Sequence, residues 1–200
     1  MDRKTELLLK CFQKYQDNPG DHEAFLNWLA CLFLIYPELN KMPLSWQGLK
    51  KICKKLKVKI IEEVGFSSFK GLCVSSNINI SLGQKNNILA EGDKAKLISD
   101  SLWKSLSKSV KESGYAIVLE KGLPRLYKVF TLAHEVGHML LDHHLFSDSS
   151  FYNIKEFQAD FFAYVVTDIF PEYLDCQGKS VFSRLKELWL QNFYLPIKKL

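Results

Sequence analysis

The chain reads as an α+β protein: a small, mostly antiparallel sheet, a pair of helices carrying H-E-x-x-H and E-x-x-x-D, and helical additions at both ends. Three observations predict this. Apolar side chains recur at helical spacing through the first 56 residues. Short runs rich in β-branched residues follow between 58 and 119. Helical periodicity returns from about 127 onward.

Taken in order, Leu7, Leu8, Cys11, Phe12 and Tyr15 mark a first helix, which Asn18-Pro19-Gly20 breaks. Asp21 is placed to cap a second helix that stops before Pro37. Ser45 can cap a third, with Leu49, Ile52, Cys53 and Leu56 on its buried face and Lys50, Lys51, Lys54 and Lys55 on the other. The lysines read as a solvated face, with a basic patch for nucleic acid or an acidic partner as the alternative. Val58–Ile61 reads as a strand, and Gly71–Val74 with Ile78–Leu82 as a hairpin across 75–77. After a polar loop at 84–87, an amphipathic helix is expected from near Asp93 to Ser113, with Leu97, Ile98, Leu102, Leu106 and Val110 inward and Gly114 ending it. Tyr115–Leu119 reads as another strand. A helix from near Tyr127 carries the H-E-x-x-H, a loop spans 146–152, and further helices run from about Asn153 towards Ile169 and from Ser180 to Phe193.

The bulk properties narrow the classes. Two hundred residues suit one domain with additions, and 47% hydrophobic with 24% charged residues is an ordinary globular composition. A net charge of +5 gives no argument for nucleic acid, so no direct nucleic-acid binding is expected. Five scattered cysteines without a C-x-x-C pair fit a reducing compartment. Residues 25–37 form the most apolar stretch, short of the about 20 residues that a membrane span needs. The opening Met1-Asp2-Arg3-Lys4-Thr5-Glu6 leads into only three leucines before a lysine, unlike a secretory leader. A cytoplasmic protein without a membrane partner is the expectation.

The chemistry concentrates at 134–160. His134 and His138 stand four apart on a helix, so both point the same way and can bind one ion. Glu135 lies beside that ion and can take a proton from an attacking water. Five His and twelve Glu in 200 residues give an accidental H-E-x-x-H count of roughly 0.007. Phe130, Ala133, Gly137 and Leu140 supply an apolar face behind the histidines. A catalytic zinc needs a third protein ligand and an open position. His144 matches the spacing of H-E-x-x-H-x-x-G-x-x-H, but Leu141 holds the glycine position, and no Met follows Met139 to form a methionine turn. On an unbroken helix His143 would lie about 180° round from His134. Both later histidines therefore read as exposed or as lying behind the ligands. Glu156 is the better third ligand. Asp160, one turn on, can accept a hydrogen bond from the far nitrogen of a ligand histidine.

Phe130-Thr131-Leu132-Ala133-His134-Glu135-Val136-Gly137-His138-Met139-Leu140-Leu141 resembles the F-T-x-A-H-E-x-G-H-x-x-L core of ImmA/IrrE-type metallopeptidases, and 156–163 resembles that family's E-x-E-A-N/D-x-F-A helix. The resemblance covers roughly residues 45–170. It leaves 1–44 as a helical N-terminal extension and 171–200 as a C-terminal helical segment packed on the same domain. Gln158 stands where the family often has glutamate and is not a ligand position, and the link at 84–122 is longer than usual. The resemblance implies a gluzincin-like fold and one Zn2+ on His134, His138 and Glu156. Glu135 would be the general base and Asp160 the support of a ligand histidine. It also implies a protein substrate, a helix-turn-helix transcriptional repressor, which is cleaved or, in the alternative, sequestered uncut. Tyr127, Tyr152 and Tyr164 are the nearby candidates for stabilising an oxyanion.

Overall fold

The computed structural model describes residues 3–63, 70–75, 88–91, 94–97, 100–145 and 149–198, and the elements named here are those among them. Helices α1 (Arg3–Asp17) and α2 (His22–Ile35) form a hairpin. Asp21 caps α2 by accepting from the backbone N–H groups of Glu23 at 2.8 Å and Ala24 at 3.3 Å. Helix α3 (Trp46–Lys55) starts at Ser45, whose Oγ accepts from the Gly48 N–H at 3.3 Å. Both caps are where the sequence puts them, because Asp and Ser there satisfy first-turn donors that no helical carbonyl can reach.

Strands β1 (Lys59–Glu63), β2 (Gly71–Ser75) and β5 (Tyr115–Glu120) make a three-stranded sheet in the order β1-β5-β2. β1 runs parallel to β5, with Lys59 opposite Ala116, and β2 runs antiparallel to it, with Gly71 opposite Leu119. This sheet is therefore mixed, not mostly antiparallel. The parallel pairing arises because a long crossover separates β1 from β5, and a crossover returns a strand in the same direction. The expected hairpin partner of β2 at 78–82 lies outside the described residues, as do the loops at 84–87 and 146–148. Ala116 to Leu119 are all buried, since α4 and α5 both pack on the central strand.

Strands β3 (Ile88–Glu91) and β4 (Lys94–Leu97) form a separate antiparallel pair, with Glu91 opposite Lys94. This corrects the helix expected from near Asp93: α4 is shorter, Asp100–Ser113. The pairing takes Lys94–Leu97 out of the expected helix, and the Gly-Asp that precedes them in the sequence is a hairpin signal that outweighs the helical periodicity beyond it. In α4, Leu106 and Val110 are buried as expected; the side chains of the other expected inward residues lie outside the described set.

Helices α5 (Arg125–Leu140) and α6 (Tyr152–Thr167) lie against each other, and α5 also packs on β2 and β5. Helix α7 (Cys176–Trp189) begins four residues before its expected start because Asp175 caps it, accepting from the Gly178 N–H at 2.8 Å. A π-helical turn (Leu190–Tyr194) and α8 (Leu195–Lys198) follow. No helix among the described residues is long and apolar enough to cross a membrane. The apolar stretch at 25–37 is instead the core helix: Phe25, Leu29, Leu32 and Phe33 of α2 are fully buried.

Phe161 of α6 ties these parts together, with its ring 6.0 Å from Phe25 of α2 and 5.6 Å from Phe182 of α7, both edge-on. Phe161→Ala should lower unfolding free energy by about 3–5 kcal/mol in urea titration, because the fixed helices around it cannot close the cavity. A loss below about 1 kcal/mol would show that the three helices are not packed as one core.

Candidate metal centre

The site starts with a close approach of two helices. A Cβ built on Gly137 of α5 would lie 3.0 Å from Phe162 Cδ1 and 3.3 Å from Ala159 Cα, both on α6. Helix α6 can therefore sit almost against the α5 backbone. Glu156, one turn before that contact on α6, reaches the face of α5 that carries His134 and His138.

His134 and His138 turn their Nε2 atoms to within 2.8 Å of each other. Glu156 brings Oε2 to 3.5 Å from His134 Nε2 and Oε1 to 3.3 Å from His138 Nε2. The donor atoms of these three residues lie within 4.8 Å of one another, the spacing of a group that could hold a metal ion. A tetrahedral ion with arms of ~2.0–2.1 Å needs ligand atoms roughly 3.3 Å apart, and two imidazoles with one carboxylate are a donor set that zinc takes. The residues fit the ion on both spacing and chemistry. Asp160, also on α6, receives the His134 Nδ1–H at 2.8 Å on one oxygen, while Tyr173 donates its hydroxyl to the other. Glu135 is buried at 3% exposure, on the side of α5 that faces β2.

The electrostatics are those of a site filled with competing charges. Burial pushes the His134 imidazolium down, but hydrogen bonds to Asp160 and Glu156, with the Glu135 charge, hold its pKa well above the ordinary value. His138 is lowered, first by burial and then by the charge of His134. Burial pushes Glu156 up, yet the two histidines bring it well below the usual carboxylate range.

Several neighbours carry no obvious sequence signal. Helix α5 stops at Leu140, and Asp142 takes a left-handed conformation (φ 54). The unbroken helix against which His143 was judged is thus absent, and an aspartate, a residue tolerant of that region, makes the turn in place of glycine. His143 swings back and buries itself with Nδ1 2.8 Å from His138 Nδ1. It touches a candidate ligand from behind and is not in the cluster. His144 turns away to the Tyr115 hydroxyl at 2.8 Å. Gln158, passed over in the sequence because it is not a ligand position, is buried and accepts from His143 Nε2 at 3.1 Å. Gly71 of β2 is the other close approach. A Cβ there would fall 2.6 Å from both Glu135 Oε1 and Thr131 Cγ2, so the bare backbone leaves room for the carboxylate. Of the tyrosines considered from sequence, Tyr164 is buried against Phe170 and Tyr127 faces Lys70. Tyr152 is exposed, and it is Tyr173 that reaches the site, through Asp160.

A family model described as the IrrE N-terminal-like domain matches residues 94–167, from β4 through α6. Residues 94–167 are similar to an IrrE N-terminal-like domain. The match supports the ImmA/IrrE-type metallopeptidase family, and it spans all three possible metal ligands together with Glu135 and Asp160. The match is narrower than the 45–170 suggested by the sequence and takes in α4, which lies within the long link before the H-E-x-x-H helix. No curated protein and no solved structure matches the chain.

A metal ion needs His134 neutral, so its raised pKa makes protons compete for the IrrE-like site above the ordinary histidine range. Zinc affinity should fall as pH falls, by about tenfold or more between roughly pH 8 and pH 6, with a proton released on binding. A competition titration with a chromophoric chelator measures it; equal affinity at both pH values would mean that His134 carries no proton to displace.

Proposed function

We propose that the protein is a zinc-dependent metallopeptidase in which His134, His138 and Glu156 hold the ion and Glu135 is the general base. The convergence of two Nε2 atoms and one carboxylate, inside a match to a metallopeptidase family, carries the reading. Zinc in such a site polarises the scissile carbonyl and lowers the pKa of water towards about 7.

The chain's own residues do the rest. Glu135 follows His134 directly on α5 and lies between that helix and Gly71, close enough to His134 for its charge to act on that ring. It takes the proton of the attacking water and returns it to the leaving amine. Asp160 accepts the His134 Nδ1–H, which leaves Nε2 as the bare nitrogen for the ion. Tyr173 occupies the other oxygen of Asp160 and so helps fix that carboxylate. The substrate is a protein. The family resemblance points to a helix-turn-helix transcriptional repressor and thus to a cytoplasmic role in transcription regulation.

Glu135→Gln keeps the shape and removes the base. It should retain zinc and lose hydrolysis of a repressor substrate by about 10²–10⁴-fold, followed by mass spectrometry of the products. Full activity on the repressor with zinc retained would leave sequestration as the function. Gly71→Ala tests the position of the base. The added methyl must displace both the Glu135 carboxylate and the buried Thr131 methyl, so kcat of the folded variant should drop by about tenfold or more and the melting temperature should fall as well. An unchanged kcat would show that Glu135 does not need its place beside β2.

A further inference from the structure

Helix α6 carries an amide into the core. Gln158 is 3% exposed, and a buried amide must find partners for both its ends. Its Nε2 lies 2.7 Å from the carbonyl oxygen of Pro19, in the connection between α1 and α2. Its Oε1 lies 2.8 Å from the Tyr15 hydroxyl of α1 and 3.1 Å from His143 Nε2. His143 in turn places Nδ1 2.8 Å from His138 Nδ1.

We propose that His143 and Gln158, braced by Tyr15 and Pro19 of the N-terminal hairpin, form a hydrogen-bonded strut that fixes the tautomer and orientation of His138 for metal binding. The inference rests on the reading of His138 Nε2 as a metal ligand.

The direction of every bond follows from one end. The Pro19 carbonyl can only accept, so the Gln158 NH₂ group faces it and the amide cannot be flipped. Gln158 Oε1 then faces Tyr15 and His143, and both must donate to it. His143 carries its proton on Nε2, and as a neutral imidazole, the form that burial at 3% exposure favours, it leaves Nδ1 as an acceptor. His138 must therefore donate from Nδ1. Its remaining nitrogen, Nε2, is left bare and points at His134 and Glu156. A metal ligand histidine needs this tautomer, with its far nitrogen donating.

The two ligand histidines are thus oriented by different means. His134 uses the charged Asp160, whereas His138 uses a neutral chain of an imidazole and an amide. A neutral chain orients the ring without adding another anion to an interior where charge is costly. It also gives the N-terminal hairpin a second role. Besides packing on the core, it supplies two of the partners that hold the strut. Tyr15, Gln158 and His143 are positioning residues, since they act on the ion only through His138.

The test uses the full chain with zinc and with cobalt(II) as a spectroscopic probe. Zinc affinity comes from chelator competition, and the imidazole tautomers come from nitrogen–proton correlation NMR. In the wild-type protein His138 should carry its proton on Nδ1 and His143 on Nε2. The opposite arrangement overturns the strut whatever any variant does. His143→Leu should weaken zinc binding by about 10–100-fold and shift the cobalt(II) visible bands. His143→Gln restores most of the affinity, because an amide presents an acceptor and a donor in the same order. Tyr15→Phe, which deletes one hydroxyl, should give a loss smaller than about tenfold. Melting of the metal-free variants separates misfolding from loss of orientation. If wild type binds zinc while His143→Leu and Tyr15→Phe, both folded, stay within about twofold of it, the strut is overturned and the metal site stands. A wild-type chain that takes up neither zinc nor cobalt(II) overturns the metal reading and the strut together.

Discussion

The contact on which the site depends is the approach of α5 to α6 at Gly137 and Ala159. A Cβ at Gly137 would be tighter than ordinary contact, and this close approach decides how far Glu156 can extend over the neighbouring helix. With the helices this close, a glutamate can bring both oxygens to within 3.5 Å of the two histidine nitrogens. Interaxial distance depends on the side chains at the contact, and moderate changes in it exceed the tolerance of a metal site. The same helix pair brings Asp160 behind His134 and Gln158 behind His143. One packing constraint therefore positions both the candidate ligands and the groups that orient them.

The remaining elements hold that pair in place. β2 supplies a bare backbone at Gly71 against Glu135. Helix α2, buried along most of its length, packs Phe25 on Phe161, and α7 brings Phe182 to the same ring. Helix α6 is buried from Gln158 to Thr167, which would be costly for a helix bearing an amide and a carboxylate if they lacked partners. Both are satisfied: Gln158 by three hydrogen bonds, Asp160 by His134 and Tyr173. Through these bonds the amide and the carboxylate both connect to the two histidines.

Much of this was legible before the fold. An i, i+4 pair is brought together by the helix itself, so His134 with His138 and Glu156 with Asp160 are visible as pairs in the sequence. Caps are local as well, which is why Asp21 and Ser45 mark helix starts correctly. Less local features escaped. The pairing of β3 with β4 was submerged in a longer helical pattern, and the parallel register of β1 on β5 depends on strands more than fifty residues apart. For His143 the sequence left exposure and a place behind the ligands both open, because its position depends on one left-handed residue, Asp142, and not on helix periodicity.

By itself the sequence determined the chemistry on offer. Two histidines and a glutamate share one helix, a glutamate and an aspartate share another, and a glycine keeps the first helix bare. Helical geometry turns those spacings into shared faces without help from the rest of the chain. Only the tertiary structure decided which face meets which. It set Gly71 against Glu135, and it joined Tyr15 to Gln158 across 143 positions of sequence. The reason is physical. Periodicity acts over a few residues, whereas the partners of a buried polar group are chosen by the packing of whole elements.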